Sequence, residues 1–557
     1  MSDGLDAARA PDAGTEDGMD AGGPDADRVA PDASPRGDAA DAAPALPSGP
    51  AYYVTLSGNP DNDGRSEESA WSLAHGFANV PSGATLWVKA GNYGAQSLVL
   101  SASGVHVKGY RASINDVHSD RYSTVAVDAP IDATSMPTID MGDPGTEQTA
   151  ISNAGADNTI ENFIITNGNR GIVNRATGVG AVFRNLVIVE MGSDGVANDS
   201  SQPYEGFGLV TYAQAVVENS IFKNIGAHSC QAFGEGASGT VFRYNDLVSA
   251  DFLQATDYGF LINSDTDVDA PPIRDVRVSY NRIVRADGLW HGMHGIVFKY
   301  NVENSVADHN DLVGTAIEFS MPGSRFNVAE DNTLVHFDNG PGAWHARVLF
   351  YNGPRNNVVR RNVFRTLWQA IVFASNGEDL IGYGDTSNTG FHDNRIENNI
   401  AADVTGFIYS NANLDGANHL GDREVHGLVV RNNTVLDAGG FMSWEFRVVD
   451  PVIENNVLDE VPVQRSLSED AVNNTRGSIV NPAFANNVYV GEHNAYYDAG
   501  FPRIDNARWV DRSAIPEGLV PAAGSPLIDP EESAGAADDF EGSAPSGSRD
   551  IGAYEAR

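Results

Sequence analysis

Apolar and polar positions along this chain fall into one phrase that keeps returning: a β-branched or aromatic pair, one or two charged or polar residues, an asparagine, then a second apolar pair. It reads TIENFII around Asn162, VFRNLVI around Asn185, VVENSIF around Asn219, VFRYNDLV around Asn245 and VRVSYNRIV around Asn281, and it continues at Asn310, Asn332, Asn362, Asn399, Asn433 and Asn456. Alternation on both sides of the asparagine predicts short strands buried on one face. A spacing of about 22 to 37 residues between anchors predicts a solenoid rather than a string of separate domains. One repeat cannot bury its own apolar face, so repeats must stack. At the anchor the chain has to turn sharply; asparagine tolerates left-handed torsions better than other non-glycine residues, and stacked asparagines can form a ladder. The series is read as structural.

A second series of apolar runs sits between the phrases: YGFLIN from Tyr258, AIEFSM from Ala316, RVLFYN from Arg347, AIVFAS from Ala370 and GFIYSN from Gly406. It predicts a second sheet, with Ile296 and Phe298 inward and Val297 and Lys299 outward. Aligned by the repeat, one outward column reads Asn263, Lys299, Ser320, Tyr351, Ala374 and Ser410, and the next reads Leu261, Val297, Glu318, Leu349, Val372 and Ile408. Neighbouring coils lie about 4.8 Å apart, which makes Asn263, Lys299 and Glu318 close neighbours.

Composition narrows the partners. The 557 residues carry a formal charge of −40, and phosphate neutralisation needs basic stripes, so nucleic acid is excluded. A polyanion would also be repelled at long range unless cations or a local basic patch intervene. The single cysteine, Cys230, excludes an internal disulfide and reads as a small buried residue. No apolar run is long enough to span a membrane, and residues 1–20 carry no signal peptide pattern. The chain is therefore cytosolic or begins after a removed export segment. Residues 1–49, rich in Asp, Ala and Pro with a charge of roughly −8 by count, cannot offset their ordering entropy and read as a disordered tail. Residues 50–103 read as an N-terminal cap and first strands, 104–490 as the coils and 491–557 as a closing segment.

Several segments carry a resemblance. AYYVTLSGNPDNDGRSEESAWSLAHGFANVPSGATLWVKAGNY resembles the opening of right-handed parallel β-helix proteins of bacteria, the pectate-lyase-like superfamily, and GSPLID with DDFEGSAPSGSRDIGAYE resembles their closing segment. The implied fold is an all-β, right-handed parallel β-helix of roughly 12 coils. The PDAG, PDAD and PDAS repeats resemble the tethers of secreted, surface-anchored bacterial proteins, which implies an extracellular or cell-surface protein, expected to be monomeric.

Candidate chemistry gathers on the second sheet. The loops entering it bring Arg285, Asp287, Trp290, His291 and His294 before Lys299, Trp344, His345 and Arg347 before Tyr351, and Trp368 before the next strand. Beyond the strands, Asn301, Arg325 and Arg355 could line the opposite wall. Tryptophan faces suit sugar rings; Arg, His and Asn supply hydrogen bonds and charge. Depolymerising a uronic-acid polymer by β-elimination needs a neutralised carboxylate, a base and a proton donor. Lys299, His291 or His294 could be the base and Tyr351 or His345 the donor, while Asn263, Asp287 and Glu318 could hold a Ca²⁺ that neutralises the carboxylate. GIVFKYNVENSVADHN resembles the lysine-bearing strand of alginate lyases and chondroitinase B, with Lys299 at the lysine; Ser320 stands where their arginine falls, and Arg325 lies five residues on. The resemblance implies a polysaccharide lyase. The alternatives are a non-catalytic adhesion or structural protein and a glycoside hydrolase, which needs two facing carboxyls. Two acidic segments, Asp61 with Asp63 and Asp265, Asp267 with Asp269, could bind calcium but are also ordinary turn and loop chemistry.

Overall fold

The recurring phrase becomes two short parallel strands on either side of a left-handed turn, and copies of it stack in register. Val306–Asp308 and Asp311–Val313, flanking Asn310, pair with Val328–Glu330 and Thr333–Val335, flanking Asn332. The computed structural model of the protein describes residues 49–114, 135–142, 148–192, 206–249, 258–264, 270–285, 294–336, 347–375, 390–411, 424–461, 479–491, 503–504, 506–523, 525–528, 539–543 and 550–554. Within them, strands of the asparagine series form a 28-stranded parallel sheet, and strands of the second series form a separate 12-stranded sheet running from Leu98–Leu100 to Met442–Ser443. The protein is a parallel β-helix. A sheet buried on one side by stacking needs apolar residues at alternate positions, and these meet in the interior as rows. Phe298, Phe319, Phe350 and Phe373 stack at 5.8, 5.4 and 4.6 Å between successive rings, all fully buried.

The asparagines do what was expected of a ladder but mostly not what was expected of a turn. Asn162, Asn185 and Asn219 are themselves left-handed, with φ of 62°, 52° and 51°. From Asn245 onward the left-handed residue is the one before, as at Tyr244, Tyr280, His309, Asp331 and Arg361. The asparagine has moved inside. Each buried amide donates Nδ2 to the Oδ1 of the next, from Asn245 through Asn281, Asn310, Asn332, Asn362, Asn399, Asn433 and Asn456 to Asn487, at 2.8–3.0 Å. The same amide also takes a backbone carbonyl of an earlier coil, as Asn332 does with Ala307 at 2.9 Å. A buried amide with every bond satisfied costs nothing for its burial, whereas a partly satisfied one is expensive. A second ladder, five residues earlier in each coil, links the backbone N–H of Ser305, Asn327 and Asn357 to the Oδ1 of Asn327, Asn357 and Asn394.

Near the N-terminal end, Trp71 stacks on Tyr52 at 4.5 Å and the helix Leu73–Asn79 sets Leu73 and Phe77 into the core, with Trp71 just outside the helix. Asp63 of the GNPDNDG segment accepts the Ser69 hydroxyl and the Arg65 N–H, and Asn59 accepts the Asp61 N–H, so turn chemistry accounts for these residues. Further in, the outer side of the long sheet buries Glu161 against three bases: His106 Nε2 at 2.9 Å, Lys108 Nζ at 2.8 Å and Arg184. Burial alone would raise the Glu161 pKa; the His106 hydrogen bond and the surrounding cations outweigh it and hold it down to about 2. An ordinary carboxylate titrates near 4.3 once unfolded, so this depressed group contributes stability above that value and loses it as pH falls towards 2. The difference in melting temperature between wild type and Glu161→Gln is accordingly expected to shrink as pH is lowered from about 5 to 2 in an acid series. A constant difference would show that the charge is not the stabilising element.

The closing segment flanks the stack. Leu519, Ala553 and Tyr554 pack on Ile400, Ala402 and Leu436, while Ala507, Leu527 and Ile551 pack on Val457, Val488 and Val490. These coil residues point out of the long sheet, where apolar side chains would otherwise face water. Gly552 and Ala553 donate to the Asn455 carbonyl and the Thr434 hydroxyl, which fixes the segment to the coils.

Candidate functional site

The twelve strands of the second sheet are nearly free of acid. Runs such as TAISN, RGIVN, FGLVT, HSCQAF, YGFLIN and HGIVFK carry no carboxylate, and Glu318 is the single acidic residue in the whole sheet. The long sheet differs: Glu161, Glu218, Asp308, Glu330, Glu397 and Glu454 project from it, each with basic partners. In a chain with 75 acidic and 35 basic side chains, such a clearing makes one face locally neutral to cationic.

The charged residues of this face sit together. The strand Tyr258–Asn263 pairs with His294–Lys299, setting Tyr258 beside His294 and Asn263 beside Lys299. The next strand, Ala316–Ser320, sets Glu318 beside Val297 and Ser320 beside Lys299. A register shift between His294 and Ile296 lets His294 swing towards Glu318. Its Nδ1 lies 2.6 Å from Oε2, with the ring N–H off the line to the oxygen, a close contact that is an ion pair only when the ring is protonated. Glu318 is 4% exposed; burial alone would raise its pKa, but His294 and Lys299 hold it below the usual range. Lys299 Nζ lies 5.8 Å from the centre of the Tyr258 ring and 5.2 Å from that of Tyr300. Burial would lower the lysine, yet Tyr258, Tyr300 and Glu318 raise it overall, so it stays charged at neutral pH. Arg347, at the start of the following coil, is lowered to about 10 by burial against the pull of Glu318, and also remains charged.

One coil earlier the face carries groups that the sequence reading did not select. His228, Tyr258 and His294 form a column of rings at 5.2 and 5.5 Å. Burial, with a contribution from the Lys299 charge, lowers His228 to about 4, so it is neutral at pH 7. Gln231 Nε2 donates to Asn263 Oδ1 at 2.9 Å. Extending the outward columns back to HSCQAF would have revealed His228 and Gln231.

No family model matches the sequence, and no curated protein matches it significantly. Among solved structures, the alginate lyase AlyF-OU02 in complex with G6 is similar over 83% of this chain and 89% of its own, at 14% identity and a TM-score of 0.44. A PL6 alginate lyase in complex with a trisaccharide is similar over 90% and 96%, at 14% identity and a TM-score of 0.43. The A-module of the Azotobacter vinelandii mannuronan C-5 epimerase AlgE4 is similar over 68% and 90%, at 13% identity and a TM-score of 0.36. The likeness is one of fold.

Of the candidates read from sequence, Asn263, His294, Lys299, Glu318, Arg347 and Tyr351 come to this one face. Tyr351 follows Ser320 in the Lys299 column and packs beside Leu349, Val372 and Ala374. Others do not join them. Arg285 is 2% exposed at the end of Arg282–Arg285 in the long sheet, opposite Ser249, so its guanidinium is buried in the wall rather than offered to a ligand. Asn301 is buried in a turn, donating Nδ2 to the Ala270 carbonyl. Arg325 pairs with Glu303 at 2.7 Å and aligns with Arg355 and His392 on a lateral column beside the sheet. Trp368 immediately precedes Gln369–Ala374. The strand Gly406–Asn411 departs from the predicted register: Ser410 pairs with Phe373 and Ile408 with Ile371, so Tyr409 takes the outward place beside Val372. Asp287, Trp290, His291, Trp344 and His345, and the Asp265, Asp267 and Asp269 segment, lie outside the described residues. Among the described residues Glu318 is the sole calcium carboxylate of the predicted set. It is buried against His294 and Lys299, a donor set that does not suit a dication.

Proposed function

We propose that the protein binds an acidic, uronic-acid polysaccharide on the second sheet and cleaves it by β-elimination. The observation that carries this reading is the gathering of His294, Lys299 and Arg347 around one buried carboxylate on a face otherwise cleared of acid, in a chain of charge −40. A uronate is attracted to such a face and repelled by the remainder of the surface.

The chemistry divides among the side chains by their protonation. Lys299, held charged, neutralises the substrate carboxylate and so acidifies the adjacent C–H; the same charge argues against its being the base. Glu318 contacts His294 Nδ1, which favours the tautomer whose free Nε2 takes the C5 proton. The C5–H electron pair forms the C4=C5 double bond as the C4–O bond breaks, and the departing oxygen takes a proton from the Tyr258 phenol. Carboxylate neutralisation by Lys299 and Arg347 makes the reaction independent of calcium. A polysaccharide substrate also favours an extracellular location; no helix among the described residues is long and apolar enough to cross a membrane.

Incubation with alginate, pectate or glycosaminoglycans is expected to raise ultraviolet absorbance from the conjugated product, equally with calcium and with chelator. No rise on any polyuronide would sink the elimination mechanism, and a rise abolished by chelator would return the neutralising role to a metal.

A further inference from the structure

Resting on that reading, we propose that the substrate chain runs along the axis of the β-helix and that a second sugar, towards the N-terminal coils, lies on Tyr212 and Phe233. Phe233, Asn263 and Lys299 are register partners on successive strands, so Phe233 stands two coils, or about 10 Å, from Lys299 in the same outward column. Tyr212 follows the strand Phe207–Thr211 directly and meets Phe233 edge to face at 5.7 Å. Its ring is 40% exposed, one of few large apolar side chains to be so among the described residues. Aromatic faces beside a polar floor are what a pyranose ring stacks on.

Three features give the occupant its chemistry and direction. The strands FGLVT, HSCQAF and YGFLIN, which form this part of the face, contain no carboxylate to repel a uronate. The hydrogen bond from Gln231 Nε2 to Asn263 Oδ1 bridges the coils between the aromatic pair and Lys299, at positions where sugar hydroxyls would be met. Lys299 lies two coils further along the same column, so one chain reaches both places without crossing the sheet.

The test is calorimetric binding of mannuronate, guluronate and galacturonate disaccharides and hexasaccharides to the full chain, both as wild type and in a His294→Ala background that does not consume them. Tyr212→Ala is expected to weaken the preferred hexasaccharide about five- to tenfold and leave its disaccharide unchanged. Tyr280→Ala, at an exposed tyrosine on the long sheet, is expected to change neither. If wild type prefers the hexasaccharide and Tyr212→Ala leaves that preference intact, the subsite is wrong while the Lys299 site stands. Equal weakening of both lengths would assign Tyr212 to the fold and also overturn the subsite. Failure of wild type to bind any of the oligouronates would remove the Lys299 reading and this one together.

Discussion

Replacing His294 with alanine is expected to lower kcat on a uronate polymer by about 10²- to 10⁴-fold, the range a positioned general base supplies. KM should change little, because the imidazole lies outside the interior rows of apolar side chains, whereas the melting temperature should fall, because Glu318 stays buried with one partner fewer. Lys299→Ala should instead act on both constants: the ammonium meets the substrate carboxylate before reaction and again as charge develops on it. The contrast is diagnostic. If the two variants lost kcat and KM in the same proportion, the division between base and charge clamp would be wrong. Glu318→Gln tests positioning. Turnover should fall with KM little changed, since the imidazole loses the carboxylate that fixes its orientation and tautomer. Unchanged turnover would separate Glu318 from the proton transfer.

The largest stability effect is expected at the asparagine ladder. Asn332→Ala removes the Oδ1 that accepts from both the backbone N–H and the Nδ2 of Asn310, and the Nδ2 that donates to Ala307 and Asn362. The backbone N–H and one amide hydrogen of Asn310 then lose their acceptor, while its other amide hydrogen keeps the Val278 carbonyl, at a cost of about 3 kcal/mol. The denaturant midpoint should fall accordingly. Asp331→Ala, one residue away, is the comparison: Asp331 pairs with the buried Arg361 and is itself left-handed, so alanine carries a smaller cost of its own there, but it belongs to no ladder. A smaller loss for Asn332→Ala than for Asp331→Ala would overturn the account.

Most of the architecture was legible because stacking forces each coil to repeat its neighbour. The errors have local causes. Asparagine's tolerance of left-handed torsions suggested a turn residue, yet burial needs its amide more than the turn does, and the turn accepts Tyr244, His309 or Arg361 instead. The ladder through Asn327, Asn357 and Asn394 was missed because a single anchor per coil satisfied the period. In the strand Gly406–Asn411 an apolar pattern misled: Ser410 occupies the inward place that Phe373 takes one coil earlier, and its hydroxyl is satisfied there by the N–H groups of Glu445 and Phe446. At the candidate site, column alignment brought Asn263, Lys299 and Glu318 together across 55 residues of sequence. It stopped one strand short of His228 and Gln231, whose strand HSCQAF reads as ordinary core. Arg285 was placed by its nearness in sequence to the loop before Lys299, a poor guide where the chain is passing from one sheet to another.

The closing segment gives the two ends of the molecule different histories. Ladder bonds join residues 22 to 37 apart, so each coil can form on its predecessor as soon as it exists. The bonds that tie Asp550 and Ala553 back to Asn432 and Thr434 span 118 and 119 residues. Closing a loop of that length is slower, and it cannot begin until Asp550 and Ala553 have been made. The coils from Ile400 onward therefore wait with an uncovered apolar flank while the earlier ones are already sealed. A stack made from its N-terminal side can wind steadily, but its coils from Ile400 onward are covered only in a late step.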